Sequence, residues 1–377
     1  MTLTIRPAAE CHFDLLSLGE VMLRLDPGAG RVRTARTFAV SEGGGEYNVA
    51  RGLRRAFGLR TAVVTALADN EIGRLIEDLV RQGGVDTSLI RWVPYDGVGR
   101  TVRNGLNFTE RGEGVRAAVG TSDRGHTAVS QLGSDQIDWD HLFGTLGVRW
   151  LHTGGVYAGL SDAAAETAST AAAAARRHGT VVSYDLNYRS SLWRDIGGPD
   201  RARLVNQRIA RTVDVLIGND EHFRTVLGAG RSDSGVDHCE GRWEAPGERV
   251  RPDLGDAQTS LEQVARSYPN LSIVAATLRT VRSASVNDWG AVAWSADLGP
   301  VAARYRPGLE LLDRVGGGDG FAAGLIYGLL RLGDLRIGVE FGAAYGALAM
   351  TTPGDASMAA LAEVEALAAE FNARALR

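Results

Sequence analysis

A doubly wound α/β protein is what the sequence predicts: a mainly parallel sheet flanked by helices, with a small β-sheet lid. Three observations predict it. Short apolar runs alternate with longer stretches of helical period, the mark of βαβ units. Two extended, polar stretches, 20–45 and 92–125, interrupt that rhythm where helices are due. The 377 residues are enough for one large core with an appendage.

Strands are expected at Asp14–Leu18, Thr61–Leu67, Arg149–His152, Thr180–Leu186, Val213–Ile217 and Ser272–Thr277, each a short apolar run. Helices are expected near Asn48–Phe57, Asn70–Gln82, Asp162–His178 and Asp200–Arg211. The third is Ala-rich and stops before Gly179, a residue suited to a helix C-terminus. Three more, near 319–332, 334–350 and 356–374, close the chain. One α/β body over 13–375 results, with 20–45 and 92–125 forming the lid. Residues 228–256 are rich in Gly, Asp, Arg and Pro and read as a surface insertion.

Composition excludes several functions. The net charge is −4, so nothing draws the chain to nucleic acid or anionic lipid. No apolar run is long enough to span a bilayer, and Met1–His12 lacks a secretory layout. The two cysteines, Cys11 and Cys239, sit in no metal or disulfide pattern. A cytoplasmic location is expected. All 41 basic residues are arginine. A Schiff-base lysine and a Walker-type loop are therefore ruled out. Phosphate chemistry must rest on backbone N–H groups, arginine and a metal.

Two segments carry chemistry. Asp313-Arg314-Val315-Gly316-Gly317-Gly318-Asp319-Gly320-Phe321 precedes an apolar helix. Glycines there let consecutive N–H groups converge on an anion, and the helix N-terminus adds positive potential. Asp319 at that terminus is expected to stay ionised and to accept a hydroxyl proton. A side chain on Gly317 is expected to stand where phosphates approach. The second segment is Gly43-Gly44-Gly45-Glu46-Tyr47-Asn48-Val49-Ala50-Arg51-Gly52-Leu53. Its glycines admit a hydroxylated ligand to the main chain, and Asn48 can donate and accept.

Together these segments, in this order, resemble the PfkB (ribokinase-like) carbohydrate kinases over nearly the whole chain. Within that family the chain is most similar to 2-keto-3-deoxygluconate kinases. The marks are Gly19-Glu20-Val21-Met22, Asp123-Arg124, and Asp185-Leu186-Asn187-Tyr188-Arg189 followed by Trp193. The resemblance implies transfer of the γ-phosphoryl of MgATP to a primary hydroxyl of a sugar or keto-sugar acid. It implies that Gly44, Gly45 and Asn48 hold sugar hydroxyls and that Arg124 and Arg189 bind the acid or keto end. Gly316, Gly317 and Gly318 would form the anion hole, with Asp319 as base. Asn219 matches the phosphate and magnesium region, with Glu221 beside it. Thr277, followed by Arg279, matches the nucleotide-binding segment, and Asp26 is a candidate to face the sugar.

The chain departs from the family pattern at His222, where an acidic residue is usual, and at Arg279, where glycine is. Thr280–Trp289 reads as a longer, more polar loop, and Ser122 replaces an aromatic residue. A neutral-sugar kinase such as a fructokinase, or a sugar- or nucleotide-binding sensor without catalysis, are the rival readings. A homodimer through the lid is expected of the fold.

Overall fold

The computed structural model describes residues 3–229 and 254–369. Among the described residues fourteen strands order the fold. β1 (Leu15–Leu18) leads to β2 (Met22–Asp26) and β3 (Ala39–Gly43). After a helix come β4 (Thr61–Asp69), β5 (Ile90–Pro94), β6 (Leu106–Glu110) and β7 (Val119–Asp123). β8 (Trp150–Gly154), β9 (Val181–Asp185) and β10 (Val215–Gly218) follow, each after helical segments. β11 (Ile273–Ser283), β12 (Val286–Ser295), β13 (Gly299–Ala302) and β14 (Arg306–Glu310) precede the last helices.

The main sheet runs β13-β12-β11-β10-β9-β8-β1-β4-β5, with β14 also on β12. From β11 to β5 every pairing is parallel, and β12 turns the sheet antiparallel. The central strands are buried end to end, as a sheet covered on both faces requires. Two apolar clusters form the core, one on each side. The strand order reverses between β1 and β8, so the crevice at their carboxyl ends is where such a sheet places a ligand.

Local chemistry explains the helices. Ser161 caps Asp162–Arg177 by accepting from Ala164 N–H at 3.0 Å, and Asn70 caps Glu71–Gln82 through Gly73 N–H. Gly179, at φ 72°, ends the Ala-rich helix as expected. The helices Gly317–Tyr327 and Leu335–Ala349 touch backbone to backbone, because glycines face each other. A Cβ on Gly324 would lie 2.6 Å from Gly342 N. This contact anchors the helix that begins at the glycine turn.

The separate small sheet runs β3-β2-β6-β7 and is the lid. β2 pairs antiparallel with β3 and parallel with β6, and β7 is exposed throughout. Three expectations need correction. Residues 90–94 form the edge strand β5 of the main sheet, parallel to β4, so the lid strands of the second segment start at Leu106. A five-residue run such as Ile90–Pro94 cannot by itself show which sheet it joins. Thr280–Trp289 is no loop: β11 and β12 pair across it as a hairpin turning near Ala284-Ser285. Of the expected insertion 228–256, residues 230–253 lie outside the described residues. Its end, 254–256, begins the helix Leu254–Ser267, which pattern reading missed.

Candidate active site

The glycine turn is built on one backbone demand. Gly316 has φ 82°, and a Cβ there would sit 2.0 Å from the main-chain oxygen of Asp355. Only glycine meets both conditions. Gly317 is buried, and its α-carbon faces Met350, whose Sδ would lie 2.9 Å from a Cβ. The expectation that a Gly317 side chain would meet phosphates is thus corrected. Gly318 is the exposed residue, where a Cβ would meet nothing within 4 Å among the described residues.

Asp319 stands in the first turn of Gly317–Tyr327, half-buried, and its Oδ2 accepts from Asn48 Nδ2 at 2.7 Å. That bond joins the two motifs, 271 residues apart in sequence. Asn48 is buried on the helix Gly45–Arg55. Gly44 touches the main chain of Glu20, and Gly45 faces the site: a Cβ there would lie 3.5 Å from Asn187 Nδ2 and 3.6 Å from Asp319 Oδ1.

Burial pushes the Asp319 carboxyl up to about 7. The nearby Asp185 and Asp355 carboxylates add to the rise, while the Asn48 hydrogen bond and Arg189 oppose it. The expectation of a permanently ionised carboxylate is therefore corrected. The group sits near neutrality, where a general base works well.

Two further carboxyls surround it. Glu46, 3% exposed, projects to the crevice between β1 and β8, and its Oε2 has no hydrogen-bond partner among the described residues. Added Cβ atoms on Gly19 and Gly154 would lie 2.3 and 2.9 Å from its carboxyl oxygens. Burial first, and then the charges of Asp319 and Asp185, raise it to about 8. Asp185, at the end of β9, is raised to about 6 by burial. Its Oδ1 accepts from Asn187 N–H at 3.1 Å, and Asn187 adopts φ 28°. Sequence reading quoted Glu46, Asp185 and Asn187 within motifs but gave them no part in the site. Their flanking position to Asn48 and Arg189 was the available signal.

Arg189 is exposed, and among the described residues it makes no ion pair within 4 Å. Its charge acts on Asp319, Asp185 and His222, so it lies within electrostatic reach of the base. Arg124 is held differently: its Nε lies 3.4 Å from Oε2 of buried Glu20, and its charge also reaches Asp355. Asp26 is engaged within the lid by Arg24 at 3.4 Å, Arg111 at 3.2 Å and Gly28 N–H at 2.7 Å.

Asn219 follows β10 and caps a short turn, its Oδ1 accepting His222 N–H at 2.8 Å. Burial and the Arg189 charge hold His222 neutral, with its pKa lowered to about 3. Asp220 is occupied by Arg224 at 3.0 Å and Ser260 Oγ at 2.7 Å, while Glu221 acts on Tyr188. Thr277 and Arg279 lie within β11, opposite Ala291 and Trp289 of β12. Among the described residues no three acidic, His or Cys side chains form a metal cage. No described helix is long and apolar enough to cross a membrane.

A doubly wound sheet with a β lid, and a glycine turn carrying a carboxyl held by asparagine, are the arrangement a sugar phosphotransferase needs. The chain belongs to the pfkB family of carbohydrate kinases, which it matches over residues 13–239 and 291–361. The unmatched interval holds the helix Leu254–Ser267 and β11. It is 27% identical to 2-dehydro-3-deoxygalactonokinase of Haloferax volcanii, covering 93% of this chain and 95% of that protein. A 5-dehydro-2-deoxygluconokinase of Clostridium perfringens is 25% identical, over 89% and 86%. The solved 2-dehydro-3-deoxygluconokinase of Thermotoga maritima is 32% identical, with TM-score 0.82 over 95% of this chain and 98% of that one. This chain is a carbohydrate kinase, and ATP is the phosphoryl donor its family implies.

Proposed function

We propose that this kinase phosphorylates a primary hydroxyl of a keto-deoxy sugar acid, with 2-keto-3-deoxygluconate as the best candidate. The observation that carries this reading is Arg189, an arginine that makes no ion pair among the described residues and whose charge reaches the Asp319 held by Asn48. The named relatives act on sugars of this kind, which supports the same choice.

Asn48 and the main chain at Gly44 and Gly45 hold the sugar. Asp319, as carboxylate, takes the hydroxyl proton while the sugar oxygen attacks the γ-phosphorus, and the bond to the β-phosphate oxygen breaks to release ADP. N–H groups of Gly317 and Gly318 at the helix start stabilise the charge on the moving phosphoryl group. Magnesium, when bound, neutralises phosphate charge. Asn219 and Glu221 would offer hard oxygen donors to help hold it. Thr277 and Arg279 are assigned to the nucleotide side.

Arg189 reads the carboxylate through parallel hydrogen bonds, and Arg124, already compensated by Glu20, faces the keto end. The test is kcat/KM for 2-keto-3-deoxygluconate against fructose in wild type and Arg189→Met. A charge-assisted bond is worth about 1.5–3 kcal/mol, so wild type should favour the acid roughly 10- to 150-fold. The variant should lose mainly that preference. A wild type that prefers fructose, or a variant weakened equally on both, rejects the reading.

A further inference from the structure

Arg24 lies on β2 of the lid, and at 1% exposure its side chain is among the most completely buried in the protein. It does not point to solvent as a sheet arginine usually does. Its two terminal nitrogens reach across to the α/β body, one to Asp313 and the other to Asp355, and both carboxylates are themselves buried. A looser contact to Asp26, at 3.4 Å, stays within the lid.

Each partner is wired to the catalytic turn. Asp313 opens the turn, and its Oδ1 accepts from Val315 N–H at 3.1 Å. Its other oxygen, besides Arg24, faces Gly354 N–H at 3.4 Å. Asp355 presses its main-chain oxygen on Gly316, the left-handed residue that starts the helix N-terminus. Its carboxylate meanwhile abuts Gly43, where a Cβ would lie 2.3 Å from Oδ2. Gly43 ends β3, pairs with Met22 beside Arg24, and leads directly into Gly44, Gly45 and Asn48. One guanidinium therefore sits where the sugar loop, the glycine turn and the segment after Met350 converge.

We propose that Arg24 is a positioning residue of phosphoryl transfer: through Asp313 and Asp355 it fixes the register between the lid-borne sugar loop and the glycine turn. The inference rests on the reading of that turn as the phosphoryl site. Packing alone does not require this arginine. β2 is already held by β3 and β6, and the lid needs no buried charge to form. A buried cation and two buried carboxylates are costly to desolvate unless all are paired, so stability alone is a weak reason for such a cluster. The reacting oxygen arrives on the lid side and the phosphoryl on the turn side, so an error in register appears directly in the attack geometry.

The test is steady-state kinetics of full-length Arg24→Met and Arg24→Lys with the accepted sugar and MgATP, alongside thermal unfolding. A misplacement near 1 Å costs roughly 10²-fold, so Arg24→Met should lower kcat by about that factor. The KM values for sugar and ATP should stay within about three-fold, because the binding groups themselves remain. Arg24→Lys, which keeps charge and reach, should recover part of the lost kcat with the same KM values. A folded Arg24→Met with kcat within about three-fold of wild type overturns the proposal. So does a parallel loss of kcat and sugar affinity, the mark of a lid that has merely come apart. If Arg24→Met does not fold, Asp355→Asn, which keeps shape and an acceptor, is read by the same kcat-against-KM criterion. Failure of the phosphoryl-site reading is separately visible, as unchanged turnover in Asp319→Asn.

Discussion

The hydrogen bond from Asn48 to Asp319 makes the pH profile the sharpest probe of this site. With the carboxyl raised to about 7, kcat/KM should climb with pH along a one-proton limb centred near 7, because only the carboxylate accepts a proton. Asn48→Ala removes a donor that favours the ionised form, so the limb must move to higher pH. A hydrogen bond to a charged group contributes about 1.5–3 kcal/mol, and one pH unit corresponds to about 1.36 kcal/mol. Full loss would give about 1–2 units. Asp319 is half-buried and water replaces part of the lost bond, so about one unit is expected, a limb near 8. Glu46→Gln is the control: with its carboxyl raised to about 8, Glu46 is mostly protonated where Asp319 titrates, so this limb should stay near 7. The three carboxyls titrate as a coupled group, so the shift between variants is the quantity to compare. The assay is initial rate at low sugar concentration from pH 5 to 9, with ATP saturating. A wild-type limb below pH 5, or an Asn48→Ala limb unmoved despite lower activity, refutes the argument.

Three further outcomes follow from the same geometry. Asp319→Asn should lower kcat by roughly 10²–10⁴-fold, with nucleotide binding retained by calorimetry. It should also raise the melting temperature at pH 8. An acid whose folded pKa is raised binds protons more tightly when folded, so it favours the fold at low pH and loses that contribution as pH rises from about 4 to about 7. Gly318→Val places a branched side chain in the open space before Asp319, and should abolish transfer with little loss of stability, whereas Gly317→Val, against Met350, should unfold more easily. We also propose a two-fold dimer through the lid, where β7 and Val40 are exposed; sedimentation showing only monomer at micromolar concentration would remove it.

The sequence alone determined the class of fold and the two motifs, because both are written in local periodicity and composition. Apolar runs of strand length mark the parallel sheet, and the glycines before Asp319 mark a backbone that must bend and admit an anion. Local pattern does not say which sheet a short strand joins. β5 therefore read as lid, and the β11–β12 hairpin read as a loop. What only the tertiary structure decided is electrostatic and long-range. Asp319 sits near neutrality because folding buries it near Asp185 and Asp355, neither of them close to it in sequence. Arg189 and Arg124 read alike as arginines in motifs, yet Glu20 compensates one while the other has no ion pair among the described residues. Arg24 gave no signal in the sequence, since its partners lie 289 and 331 residues away. Charge and desolvation depend on distances in space, and those are set only when the lid meets the body.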